Sequence, residues 1–218
     1  MKALPSPLLA VTDRHGHPRP LVETVQAVLD GGGRWIWFRE RDLEPEARFR
    51  LGEVVAECVR AAGGVLTIGG DVALARALGA DGLHLGGGSG LAAIAAARSA
   101  LGEAALIGVS AHTPREAVTA AQAGADYVTL SPIYATASKP GYGPALGLTG
   151  LADSLGADLP VVALGGLGPE AVWSCRAAGA AGFAIMGGLM RAADPADVTR
   201  SLLKAWSAGE ASAARTST

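Results

Sequence analysis

Two pairs of adjacent glycines, Gly165-Gly166 in "VVALGGLGPEAV" and Gly187-Gly188 in "AIMGGLM", each follow an apolar run of strand length. Backbone without a Cβ lets a ligand come close, and a helix start just behind points N–H groups at it. Such places bind phosphate. The plainer alternative is that each pair only permits a tight turn. His112, in "GVSAHTPREA", stands one residue before a helix-capping threonine. An imidazole there can move protons near neutral pH, although a loop histidine often has no chemical task. Arg39 and Arg41 alternate with Glu40. On an extended strand both guanidinium groups therefore face one side and can hold a carboxylate or phosphate in bidentate fashion. A solvated, ion-paired strand end has the same sequence.

The loop "YATASKPGYGPALG" raises a related question. It carries Lys139, the only one of the three lysines that is far from a terminus, beside Thr136 and Ser138. Backbone N–H groups, two hydroxyls and a cation describe an anion site, and they also describe a mobile connector. His84 lies inside an apolar run and suits a packed, hydrogen-bonded role. His15 and His17, in a polar loop, receive no assignment, and Trp35 and Trp37 read as packing.

These residues need a frame. Four segments are alike: "GGGRWIWFRE" at Gly31, "GADGLHLGG" at Gly79, "GADYVTLSP" at Gly124 and "GAAGFAIMGG" at Gly179. Each is a glycine-marked helix end, a short connector and an apolar run. Between them lie "LLAVTD", "VLTIGG", "ALIGVSAH" and "LPVVALGGL", which brings the strands to eight. Helical periodicity fills the gaps, as in "LVETVQAVLD" and "ARFRLGEVVAECVRAA". The strands are continuous apolar runs, as expected where both faces are covered. The pattern predicts an α/β protein with one domain over residues 1–207, an eight-stranded parallel (β/α)8 TIM barrel. An open doubly wound sheet is the alternative. Residues 208–218 read as a disordered C-terminal tail. In such a barrel the active site gathers at the carboxyl ends of the strands. His112, the arginine pair and both glycine pairs all fall there.

Composition narrows the partners. The chain has 218 residues, half of them hydrophobic, and a formal charge of -2. With no basic run it is not expected to bind nucleic acid, and no apolar stretch predicts a membrane span or a signal peptide. Cys58 and Cys175 read as thiols in a reducing compartment, so a cytoplasmic location is expected. Whether the chain forms a homo-oligomer is left open.

Taken together, "ADGLHLG", "IGVSAHTPREA", "GADYVTLSPIYATASK" and "VVALGGL" resemble the thiamine phosphate synthase superfamily from Leu8 to about Leu203. The resemblance implies two branches on one barrel. Synthases couple a pyrimidine methyl diphosphate to a thiazole phosphate, and a TenI-like branch aromatises a carboxythiazole phosphate tautomer. The synthase pattern has glutamine, arginine and lysine alternating at the end of strand two, where this chain has Trp37, Arg39 and Arg41. Its Asn-Asp pair after strand three, whose aspartate binds Mg2+, falls on Gly69-Gly70. Its Gly-Gln-x-Asp after strand four falls on Gly86 to Ser89. Asp71 could substitute only if its loop were one residue shorter. A departing diphosphate needs strong charge neutralisation, whereas a proton shift does not.

By this reading the resemblance favours the TenI-like branch: an isomerase, a thiazole tautomerase of thiamine biosynthesis, with no metal and no cofactor. His112 is then the proton shuttle, and Gly165, Gly166, Gly187 and Gly188 cradle the phosphate. Arg39, Arg41, Ser110, Thr136, Ser138 and Lys139 bind the rest of a small phosphorylated heterocycle. The alternatives are thiamine phosphate synthase itself, with a displaced metal site, and a non-catalytic regulator that binds a phosphorylated ligand.

Overall fold

Four-residue strands that are buried at every position need apolar surroundings on both faces, and a closed barrel wrapped in helices supplies them. The computed structural model describes residues 2–136 and 143–216. Its strands are β1 (Leu8–Val11), β2 (Trp35–Phe38), β3 (Val65–Gly69), β4 (Gly82–Leu85), β5 (Leu106–Ala111), β6 (Tyr127–Leu130), β7 (Val161–Leu164) and β8 (Gly182–Ile185). Each pairs in parallel with the next, and β8 pairs back with β1, so the barrel closes in chain order. The expected (β/α)8 architecture is the one observed, as a single domain.

Helices follow the strands: α1 (Leu21–Asp30), α2 (Pro45–Ala61), α3 (Val72–Ala77), α4 (Leu91–Leu101), α5 (Pro114–Gln122), α6 (Gly147–Ser154), α7 (Pro169–Ala177), α8 (Gly187–Met190) and α9 (Pro195–Thr216). Local chemistry sets their starts. Thr113 Oγ1 accepts the Glu116 N–H at 3.1 Å with Pro114 at the first position, and Asp71 Oδ1 accepts the Leu74 N–H at 2.9 Å. The backbone of α9 stays helical to Thr216 through the segment that reads as a polar tail. Ala208, Ala211, Ala213 and Ala214 give it helix propensity that polarity alone hides.

The period of two divides the core into two. Leu8, Ala10, Ile36 and Phe38 face the helices, whereas Leu9, Val11, Trp35, Trp37, Leu106, Tyr127, Val162 and Ala184 fill the barrel. Trp35 and Tyr127 meet edge to face, centroids 4.9 Å apart at 68°, a geometry worth about 1 kcal/mol beyond burial. Gly108 makes room for them, since a Cβ there would overlap the Tyr127 ring. Outside, Trp206 of α9 packs on Phe183 with centroids 5.2 Å apart, and the Arg176 guanidinium lies over the Trp206 ring, 4.9 Å from its centre. Among the described residues no helix is long and apolar enough to cross a membrane. Cys58 and Cys175 are free thiols, and burial pushes Cys175 up to about 11.

Candidate active site

At the carboxyl ends of the strands a cavity of about 380 Å³ opens, with Val11, Leu164, Ala184 and Ile185 in its walls. Each polar group around it is placed by the strand or turn beneath.

From β2 come Arg39 and Arg41. They lie just past the strand end rather than on it, and both line the cavity while Glu40 is buried beside Arg14, 3.3 Å from its Nη1. The Thr12 hydroxyl, at the end of β1, accepts the Arg39 N–H at 3.0 Å and ties the two strand ends together. Burial, with the like charges of Arg39 and Arg48, lowers the Arg41 pKa from its ordinary value. Its guanidinium lies over Gly70, where a Cβ would stand 3.3 Å from Nη2. Trp37, also in the wall, stacks on His84 with centroids 3.9 Å apart.

From β5 come Ser110 and His112. His112 is fixed at both ends of its residue. Its N–H donates to Glu116 Oε2 at 2.7 Å, and its Nδ1 lies 2.8 Å from the Ser131 carbonyl oxygen. A carbonyl only accepts, so Nδ1 carries the proton in the neutral ring. Nε2 is turned toward Gly87, where a Cβ would stand 3.3 Å away.

From β7 and β8 come the glycine pairs, all four lining the cavity. Gly165 has φ +103° and Gly166 +67°, and a Cβ at 166 would stand 2.5 Å from the Ala135 carbonyl oxygen. Only glycine fits that crossing. Thr136 also lines the cavity, whereas Ser138 and Lys139 lie outside the described residues. One residue went unread in the sequence: Arg191, one turn past Gly187, lines the cavity with its guanidinium against that glycine.

Among the described residues the lining thus holds three arginines and no carboxylate. The donor set bears on the Mg2+ that the resemblance implies for synthases. Gly69 ends β3 with Gly70 next to it, and Gly86 to Gly88 follow β4. Asp71 caps α3 and pairs with Arg48 at 2.8 Å. Among the described residues no group of three or more His, Cys, Asp or Glu side chains is placed to hold a metal ion. Oxygen-rich ligation is what Mg2+ requires, and these residues do not fit it.

Fold and cavity define a (β/α)8 barrel with a cationic, anion-receptive mouth. The family model described as thiamine monophosphate synthase matches residues 8–189, and the chain belongs to that family. The chain is 39% identical over 194 residues to the thiamine-phosphate synthase of Roseiflexus castenholzii, covering 88% of this chain and 84% of that one. It is 42% identical over 182 residues to the thiamine biosynthesis bifunctional protein ThiM/ThiE of Symbiobacterium thermophilum. That match covers 83% of this chain and only 38% of the bifunctional protein. Among solved structures, thiamine phosphate pyrophosphorylase from Pyrococcus furiosus superposes with a TM-score of 0.81 at 26% identity, covering 93% of this chain and 96% of that one. These findings overturn the tautomerase expectation. The similar proteins are named as synthases, which are transferases, and the isomerase reading rested on the loss of acids at two loops rather than on the chain as a whole.

Proposed function

We propose that the protein is a transferase of the thiamine-phosphate synthase kind, working in thiamine biosynthesis in the cytoplasm. It joins a pyrimidine methyl diphosphate to a thiazole phosphate. The observation that supports this reading is that one cavity offers two anion grips on different strands: Arg39 with Arg41, and the two glycine pairs with Arg191. A coupling of two phosphorylated substrates needs both.

In this reading the bond from the pyrimidine methylene carbon to the diphosphate oxygen breaks, and its electron pair leaves with the diphosphate. The thiazole nitrogen supplies the pair for the new C–N bond. Arg39 and Arg41 lie where they can neutralise the charge that gathers on the departing group, in a setting partly screened from water. The backbone N–H groups of Gly165, Gly166, Gly187 and Gly188 hold the thiazole phosphate, and Arg191 offsets its charge. Ser110, His112 and Thr136 contact the heterocycles between the two grips.

The test is to incubate the purified protein with both half-molecules, with Mg2+ or with EDTA, and to follow thiamine phosphate by chromatography. Product formation with a fall of about 10–100-fold in kcat/KM for Arg41→Met is expected, the worth of a charge-assisted contact. No thiamine phosphate in either buffer would refute the proposal.

A further inference from the structure

The barrel axis below the cavity is polar in a way that packing alone does not require. Trp35 Nε1 lies 2.9 Å from Thr67 Oγ1, and the Thr67 hydroxyl hydrogen-bonds Tyr127. The Tyr127 hydroxyl lies 2.9 Å from His84 Nδ1, and His84 Nε2 lies 3.1 Å from Ser110 Oγ and 3.2 Å from Thr129 Oγ1. Trp35, Thr67, His84, Tyr127 and Thr129 are fully buried, and only Ser110 reaches the cavity. The row therefore runs from a buried indole to one hydroxyl at the site.

An indole N–H can only donate, so Thr67 Oγ1 accepts at the start of the row. Thr67 keeps its own proton to donate, and the Tyr127 oxygen is its partner. Tyr127 donates its hydroxyl to His84 Nδ1, which accepts, so the imidazole proton stands on Nε2. That N–H is shared between Ser110 and Thr129. Because Ser110 Oγ accepts from below, its proton is free to turn into the cavity.

We propose that His84 is a positioning residue: the row from Trp35 through Thr67 and Tyr127 holds it as the Nε2–H tautomer and thereby presents Ser110 to the cavity as a hydrogen-bond donor. The ligand class this favours is an acceptor with no proton of its own, a phosphoryl oxygen or a ring nitrogen. With the opposite polarity Ser110 would donate to His84 and offer a lone pair instead. The role at the site rests on the synthase reading, whereas the tautomer does not.

Two measurements separate these points. Long-range 15N–1H correlation spectra of the labelled protein report the His84 tautomer without any variant. The Nε2–H form is expected from pH 5 to 8, and an Nδ1–H form in the wild type would overturn the proposal. Thiamine phosphate affinity by calorimetry then tests the role. Ser110→Ala and Tyr127→Phe are each expected to weaken binding by roughly 5- to 10-fold, one hydrogen bond to an acceptor. In a Ser110→Ala background Tyr127→Phe should add less than about 2-fold, because its effect runs through that hydroxyl. Fully additive losses would reduce Tyr127 and His84 to packing and overturn the inference. If the wild type binds no thiamine phosphate, the synthase reading and the role of Ser110 at its site fall together, and the tautomer still decides the row.

Discussion

Two arcs of the rim each carry a glycine, placed there for opposite reasons. At β7 and β8, Gly165 and Gly166 have positive φ and lie against Pro132, Tyr134 and Ala135, so no other residue fits. At the end of β4, a Cβ at Gly86 would meet nothing within 4 Å, and its φ needs no glycine. The first arc is fixed by the shape of its backbone. On the arc from β2 to β4 Gly86 leaves space, and the charge comes from Arg39 and Arg41 nearby. A glycine-rich loop is therefore not one kind of site, and what a Cβ would meet distinguishes the kinds.

The largest effect expected belongs to the ground under the second arc. His84 is buried beneath Trp37, and burial, with the charge of Arg41, pushes its pKa down to about 3. The unfolded chain takes up that proton near pH 6.5, and the folded chain does so only near 3. Between those values the unfolded state binds more protons, so stability rises with pH across the window and this contribution is flat above it. Urea unfolding at pH 4–7 should show wild type losing up to about 1.4 kcal/mol per pH unit more than His84→Gln as the solution is acidified. Parallel curves would mean that the ring protonates in place and that the arc lies over a charge, not over a neutral donor.

Next in size is the shape-based arc. Gly166→Ala puts a methyl group 2.8 Å from Tyr134 Cβ at a φ of +67°. A loss of about 2–4 kcal/mol in urea unfolding is expected, from strained backbone together with overpacking. A loss below about 0.5 kcal/mol would erase the contrast between the arcs.

The legibility of these features in the sequence follows the same division. Strand order could be read because the fourfold pattern at Gly31, Gly79, Gly124 and Gly179 repeats a local unit. The glycine pairs could be read because a turn and a helix start are adjacent in the chain. The row from Trp35 to Ser110 could not. It joins β2, β3, β4, β5 and β6 through the barrel axis, and no local spacing records which inward residues meet there. Arg191 was missed because α8 is a four-residue helix, too short to show a period. The reaction was misjudged for a related reason. Gly69-Gly70 and Gly86 to Gly88 lack the metal-binding acids of the synthase pattern, although the arginines beside them supply charge to the same cavity.

The smallest effect sharpens the comparison most. If the arc from β2 to β4 works by charge, Gly86→Ala should change stability by no more than about 0.5 kcal/mol and leave anion binding intact, because the site is open. Gly86→Asp fills the same space with a carboxylate. At a few ångströms to a nanometre from guanidinium groups, in a partly screened cavity, that charge is worth about 1 kcal/mol against an anionic ligand. Inorganic pyrophosphate affinity in EDTA should fall roughly 3- to 10-fold, and the loss should shrink as salt is raised. Tighter pyrophosphate binding by Gly86→Asp when Mg2+ is added would point the other way. The arc would then be a metal site short of one ligand, and the arginines would be auxiliary to it.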